Sequence, residues 1–160
     1  MPEHIARKDF VDTFLVLLDE TFVHPPRAEG SAYLDRDVSW RQTLATLDAD
    51  KASQPITAGG TSVAAQLGHA LYYLEVLEQF IHGGKPKLDW PGSWSRSTVS
   101  PEEWEGLKDD FNAAYERLRT HWRSAEKWDD DALGDALTVL VHSAYHLGAV
   151  RQIVRVVGGV

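Results

Sequence analysis

The sequence predicts an all-α protein, specifically a four-helix bundle with long connections between its helices. Apolar residues recur three and four positions apart along four long segments, which is the spacing of one face of a helix. Each segment also begins or ends at a helix signal such as a capping Ser, an acidic run, a Pro or a Gly. Four amphipathic helices bury their apolar faces most simply against one another.

The first helix is predicted over about residues 3–22, where Phe10, Phe14 and Leu18 recur at helical spacing. The proline pair that follows removes backbone donors and ends the helix. Residues 27–37 are predicted to form a crossing loop, and residues 40–47 a short helical segment.

The second long helix is predicted to begin at Thr61 or Ser62, either of which can cap free backbone N–H groups. It continues to the stop at Gly83-Gly84. The stretch 85–99 has no usable hydrophobic period, and we expect a long loop there.

The third helix is predicted to start at Ser100, because Pro101 suits a first helical turn and Glu103 completes a capping box. It should run to about residue 126. The helix after it should begin at the acidic run 129–131, which suits the positive end of a helix dipole.

The last helix is predicted to end at Gly158, with Arg151 and Arg155 near its negative end. Gly148 lies inside this helix, where glycine costs about 1 kcal/mol relative to alanine. We therefore expect a packing reason for it, such as the close approach of another helix, and the alternative is a tolerated surface glycine.

The composition limits which folds, partners and chemistries are possible for this chain. The chain has 160 residues and is expected to be a single domain over 1–160. Its formal net charge is −8, and its Lys and Arg are scattered, so a nucleic-acid partner is not expected.

No signal core or membrane span is visible, which predicts a cytoplasmic protein. The absence of cysteine excludes disulfides, thiolate ligands and a cysteine nucleophile, so any thiol must come from outside.

Two histidines on the last helix suggest a metal site. His142 and His146 are four residues apart, so both imidazoles project from one helix face and could share a metal ion. No Glu follows His142, so the zinc-protease pattern is absent. His69, between Gly68 and Ala70, is the natural third ligand from a facing helix. The alternative is that all three are core histidines with ordinary hydrogen bonds.

Two stretches carry a family resemblance. The run YHLGAVRQI at 145–153, the preceding His142, and TSVAAQLGHALYYLE at 61–75 resemble the DinB/YfiT-like superfamily of metal-binding four-helix bundles. The resemblance covers nearly the whole chain, although its motifs are short. It implies that His69, His142 and His146 bind one divalent metal ion, with Zn, Ni or Fe expected.

The resemblance also implies a function. Relatives include enzymes that use a low-molecular-weight thiol, so S-transferase or isomerase chemistry on a small-molecule substrate is expected, in a homodimer. Arg151 and Gln152 are predicted to bind a carboxylate of the cofactor, although Arg151 could serve only the helix dipole. No side chain is assigned a catalytic role.

Two other functions stay open. The first is a metal-dependent hydrolase that uses bound hydroxide, for which Asp135 and Glu75 are weak candidates as proton shuttles. The second is a non-catalytic, stress-related bundle whose metal is structural or whose helices serve dimerisation. The tryptophans, among them Trp90, Trp94 and Trp104, suit an interface in this second alternative, or else cap the core.

Overall fold

The computed structural model describes residues 5–24, 30–35 and 38–158. These residues form helices joined by turns and loops, and no strand occurs among them, which confirms the predicted all-α class. The helices are α1 (Arg7–Phe22), α2 (Trp40–Leu44), α3 (Ala49–Ala52), α4 (Val63–Ile81), α5 (Pro101–Ser124) and α6 (Asp130–Val157), and a 3₁₀ turn spans Gly92–Trp94.

The four long helices pack in a closed order. α1 contacts α5 and α6, and α4 contacts the same two helices. The short α2 lies against α1 and α6, while α3 lies against α4 and α5. The buried apolar residues form one cluster to which all four long helices contribute. Among the described helices, none combines the length and the apolarity that crossing a bilayer requires.

The predicted helix ends are confirmed where a side chain caps the backbone. Ser62 accepts a hydrogen bond from the N–H of Ala65 and so begins α4. Ser100 and Glu103 form the expected capping box at the start of α5. At the end of α6, Gly158 adopts the left-handed conformation with φ of 77°, which glycine tolerates without strain.

Other predicted boundaries were wrong. The first helix begins at Arg7 rather than near residue 3, and residues 1–4 lie outside the described part. The third long helix stops at Ser124, because the backbone of Ala125 turns to ψ of 120°. The predicted crossing loop is described only at 30–35, where the structure is non-helical.

The short helical segment predicted at 40–47 is divided differently. α2 ends at Leu44, and a separate helix, α3, begins after Asp48. The Asp48 carboxylate accepts a hydrogen bond of 2.8 Å from the N–H of Lys51 and so caps the new helix. The side-chain cap therefore decides where the chain turns.

Three tryptophans belong to the core. Trp40, Trp104 and Trp122 are each 1% exposed. The indole N–H of Trp40 donates to the carbonyl of Ser143 on α6 at 3.1 Å, and that of Trp104 donates to the carbonyl of Leu47 at 3.0 Å. Of the two roles considered for Trp104, interface or core, the structure therefore shows the core.

One charged network joins α1 to α5. The carboxylate of Asp19 accepts hydrogen bonds from the guanidinium of Arg119 at 2.5 and 2.7 Å and from the hydroxyl of Tyr115 at 2.6 Å. Burial by itself raises the pKa of Asp19, but the hydrogen bonds from Arg119 and Tyr115, helped by nearby positive charge, outweigh it. The pKa of Asp19 therefore lies below its ordinary value of 3.8 in the folded protein.

This network predicts a pH-dependent part of the stability. Because folding lowers the pKa of Asp19, its contribution is complete above about pH 4 and is lost as the pH falls through the folded value. We expect Asp19→Asn to lower the free energy of unfolding by about 2 kcal/mol at pH 7. The difference from wild type should shrink in urea titrations below pH 4.

The matched control is Asp12→Asn. Asp12 pairs with Lys8 on the same helix, where both side chains are exposed. A surface pair of this kind contributes about 0.5 kcal/mol. Equal destabilisation by the two substitutions would contradict the role given to the Asp19 network.

Candidate metal centre

The structure brings the three predicted histidines together. His69 lies on α4, and His142 and His146 lie one turn apart on α6. The ring centroids of His69 are 5.4 Å from His142 and 4.8 Å from His146, and those of His142 and His146 are 4.5 Å apart. One ring nitrogen from each residue falls within 4.8 Å of the other two, so the cluster could hold a metal ion. Zinc–imidazole bonds of about 2.1 Å require a modest closing of this triangle.

The imidazoles are largely removed from solvent. His69 is 7% exposed and His146 is 3% exposed. Burial lowers the pKa of His69, and it lowers the pKa of His142 and of His146 to about 4, with a smaller contribution from the neighbouring imidazoles. All three rings are therefore neutral at physiological pH, and a neutral ring has a lone pair to offer.

A hydrogen bond fixes the tautomer of His69. Its Nδ1 lies 2.7 Å from the hydroxyl oxygen of Ser93, and that hydroxyl donates to the carbonyl of Trp90 at 2.6 Å. A serine hydroxyl has a single hydrogen, so Ser93 can only accept from His69. Nδ1 of His69 therefore carries the proton, and the lone pair lies on Nε2.

His146 is fixed in the same way by an amide. Its Nδ1 lies 2.7 Å from Oε1 of Gln66, whose Nε2 donates to the hydroxyl of Thr61 at 2.8 Å. In the structure the amide oxygen faces the imidazole and can only accept, so Nδ1 of His146 donates to it. His146 thus also presents Nε2 as its free lone pair. Partners of this kind orient the imidazole ligands of metal ions.

His142 tests whether the cluster fits a metal ion. Nε2 of His142 is buried and has no hydrogen-bond partner among the described residues. A buried polar nitrogen without a partner is costly and uncommon in folded proteins. An ion held by Nε2 of all three rings would give His142 the missing partner. The donor set and its surroundings fit a divalent metal.

Aromatic rings surround the cluster. Trp94 stacks on His69 at 4.0 Å between centroids, and Tyr73 stacks on His142 at 3.8 Å. Tyr145 meets the edge of His146 at 5.0 Å. Burial raises the pKa of Tyr73 to about 12, with a further rise from Asp135, so the phenol stays protonated. The surroundings are thus of low polarity and carry no negative phenolate.

The long loop between α4 and α5 is pinned so that it covers His69. The carboxylate of Asp89 accepts from the N–H of Gly92, and the Asp89 N–H donates to the hydroxyl of Tyr72. A Cβ on Gly92 would come within 2.2 Å of the Asp89 carboxylate, so a larger residue there would displace this carboxylate from its hydrogen bond to the N–H of residue 92. Ser62 donates to the carbonyl of Ser97 at 2.6 Å and closes the loop on the start of α4.

The predicted cofactor residues lie elsewhere. The guanidinium of Arg151 is 3.3 Å from the carboxylate of Asp35, and it lines a cavity of about 310 Å³ beside α2. None of the three histidines lines that cavity. Gln152 is exposed. A role for either residue in binding a cofactor remains a prediction.

The packing reason expected for Gly148 is absent within the described chain. A Cβ at this position would meet no atom within 4 Å. The expectation that another helix of the same chain approaches here was wrong. Gly148 lies on the outward side of α6, where it is exposed.

No protein family, curated protein or solved structure matches this chain significantly.

Sequence reasoning missed the residues that hold the imidazoles in place. Ser93 was not identified because it lies in a loop without a hydrophobic period. Asp89, Pro91 and Gly92 nevertheless form a turn signature, which indicates an ordered bend there. Gln66 lies three residues before His69, so it shares a face of α4 with that ligand. A polar amide inside a run of apolar helix residues was the available signal.

The two supporting hydrogen bonds predict graded effects on metal affinity. Ser93→Ala and Gln66→Leu each free one Nδ1–H from its partner, and we expect each to weaken divalent-metal binding by about 10-fold to 100-fold. Competition against a chromogenic chelator measures the change. The control is Ser95→Ala, because Ser95 lies on the same loop but makes no hydrogen bond to a histidine in the described structure. Unchanged affinity in both variants would contradict the positioning role.

Proposed function

We propose that this chain is a metal-dependent enzyme with a four-helix bundle of the DinB/YfiT-like type. His69, His142 and His146 would hold one divalent ion, for which imidazole nitrogen suits Zn, Ni and Fe. The observation that carries the proposal is the buried, unpartnered Nε2 of His142 beside two histidines whose Nδ1–H groups are already bonded. Three neutral lone pairs are thereby offered to one point.

The donor set decides which chemistry is supported. Three neutral imidazoles leave a divalent ion its full charge and an open position, and such an ion makes a bound thiol or water much more acidic. The chain itself contains no cysteine. A thiol nucleophile would therefore come from a low-molecular-weight cosubstrate.

The surroundings favour a thiol over water. No carboxylate is hydrogen-bonded to the three histidines in the described structure, whose partners are Ser93 and Gln66. Water attack on an ester or amide usually needs a nearby base or acid to move protons. A thiol that has lost its proton needs no such base. The aromatic rings of Trp94 and Tyr73 also keep the region poor in water.

The proposed reaction is transfer of the thiol to a small electrophile. The thiol proton passes to solvent, its sulfur forms a bond to an electrophilic carbon, and the bond to the leaving group breaks with its electron pair. In an isomerase the thiol would add and leave again. The chain's residues position the ligands and exclude water, since no side chain of the described site is placed to act on the substrate as acid or base.

Metal content provides the first check. We expect purified wild-type protein, reconstituted and desalted, to retain one equivalent of Zn²⁺, Ni²⁺ or Fe²⁺, as measured by plasma emission spectroscopy. His142→Ala and His146→Ala should each lose most of it, because two imidazoles seldom retain an ion through desalting. His82→Ala serves as the control, since His82 is exposed and its ring lies against that of His121, away from the three-histidine cluster. Wild-type protein that retains no metal would refute the site.

Activity assays separate the three functions. Metal-loaded protein is incubated with glutathione, mycothiol or bacillithiol and a chromogenic aryl halide, and in parallel with a chromogenic ester and no thiol. We expect conjugation that needs both metal and thiol and that disappears in His142→Ala. Ester cleavage without thiol would favour the hydrolase instead. Metal that raises the melting temperature without any turnover would favour a structural role.

A further inference from the structure

The outward side of α6 is apolar and has no partner element among the residues that the structure describes. Leu133, Leu137, Val141 and Tyr145 follow one another at intervals of four, and they are 38%, 45%, 65% and 73% exposed. Residues 136–150 contain no charged side chain. In a chain of net charge −8, such a continuous uncharged strip on an exposed helix marks an interaction surface.

Two glycines lie on the same side of the helix. Gly134 and Gly148 are each seven residues from Val141, and two turns of helix bring a residue back to nearly the same face. A Cβ at either glycine would meet nothing within 4 Å. Glycine weakens a helix, and here the chain's own packing gives no reason for it. Contact with a helix outside the chain would provide that reason, because glycine lets two backbones approach closely.

The strip is nearly symmetric about Val141. In an antiparallel pair of two α6 helices with Val141 on the twofold axis, Gly134 of one copy lies opposite Gly148 of the other. Leu137 then lies opposite Tyr145, and Val141 lies opposite itself. A twofold interface requires this kind of self-complementary surface.

Charge selects the antiparallel orientation. The first turn of α6 carries Asp130 and Asp131, and its last turn carries the exposed Arg155, whereas Arg151 one turn earlier is paired with Asp35. An antiparallel pair places the acidic end of each helix beside the basic end of its mate, and it also opposes the two helix dipoles favourably. A parallel pair would place like charges together.

The outward face of α6 supplies part of the surface that a standard dimer buries. α6 has 28 residues and is about 42 Å long, so a strip about 10 Å wide covers about 400 Å². This area is about half of what one partner buries in an interface of standard size. Leu88 and Trp90 extend the apolar surface near the site, being 43% and 37% exposed. Trp90 adjoins Tyr73, whose ring stacks on His142.

We propose that two copies of this chain pair through the outward face of α6, as an antiparallel helix pair with Val141 on the twofold axis. A shallow trough of about 480 Å³ on this face is lined by Leu137, Thr138, Val141, Tyr145 and His142. The second copy fills that trough and so covers the exposed edge of His142. The pairing is independent of the reaction, since it depends only on the shape and charge of the helix.

Solution mass tests the pairing. We expect sedimentation equilibrium at micromolar concentration to give twice the chain mass of 17.9 kDa for wild type. Val141→Glu places two carboxylates against each other on the axis and should shift the mass to that of one chain. Because Val141 is 65% exposed, circular dichroism of this variant should stay that of wild type. Monomeric wild type would overturn the proposal, and so would a folded Val141→Glu variant that stays dimeric.

Cross-linking tests the position of the twofold axis. Because the chain has no native cysteine, an introduced thiol can form a disulfide only with the same position of another copy. Val141→Cys should form an intermolecular disulfide on mild oxidation, since only residues with close Cα atoms can be bridged. Val156→Cys is the control of matched exposure, at 63%, but its symmetry mate lies about 45 Å away along the helix pair. A failure of Val141→Cys to cross-link faster than Val156→Cys would contradict the proposed axis.

A mixed experiment tests the orientation. Chains with Gly134→Cys should cross-link to chains with Gly148→Cys when the two are mixed, and neither should cross-link efficiently alone. Efficient cross-linking of each variant to itself would indicate parallel helices and overturn the antiparallel pair. Both glycines face open space in the single chain, so the substitutions leave its fold intact.

Discussion

Three imidazoles between α4 and α6, two of them buried and that of His142 half-buried, must find partners for their ring nitrogens, and much of the neighbouring structure meets that requirement. Gln66 accepts the Nδ1–H of His146, and Ser93 accepts that of His69. The second contact requires the long loop after α4 to return across this helix, which it does through the Asp89 turn and the bond from Ser62. These contacts involve only Nδ1 of His69 and His146, and the buried Nε2 of His142 has no partner among the described residues, which makes the polar cluster a candidate metal centre.

α6 serves three purposes with its three sides. Its inward side supplies core residues such as Val139, Leu147 and Val150. The side facing α4 carries His142 and His146, and the outward side carries the uncharged strip centred on Val141. The helix can do this because a period of 3.6 residues separates the three sets along one continuous element. Its composition is consequently apolar nearly all round, which is unusual for a helix at the surface of a chain and is explained if a second copy covers it.

The chemistry proposed for the site follows from the kind of donors present more than from any single side chain. Neutral imidazoles leave the charge of a divalent ion uncompensated, whereas carboxylate or thiolate ligands would reduce it. The aromatic neighbours add area and exclude water without adding charge. A site of this kind activates a nucleophile through the ion itself, which suits a thiol delivered from solution to a protein that has no cysteine.

The sequence alone determined the helical class, the caps at Ser62 and Ser100, the start of α6 at the acidic run 129–131, and the pairing of His142 with His146, because these depend on neighbours within one or two turns. His69 was proposed from its small neighbours on a facing helix and was also implied by the family resemblance, but only the packing of α4 against α6 placed it within reach of the other two. Tertiary structure also decided the roles of Ser93 and Gln66, since a hydrogen bond across 24 or 80 residues leaves no local pattern. It likewise overturned the expectation for Gly148, because a helix's period shows which residues share a face but not whether the protein covers that face.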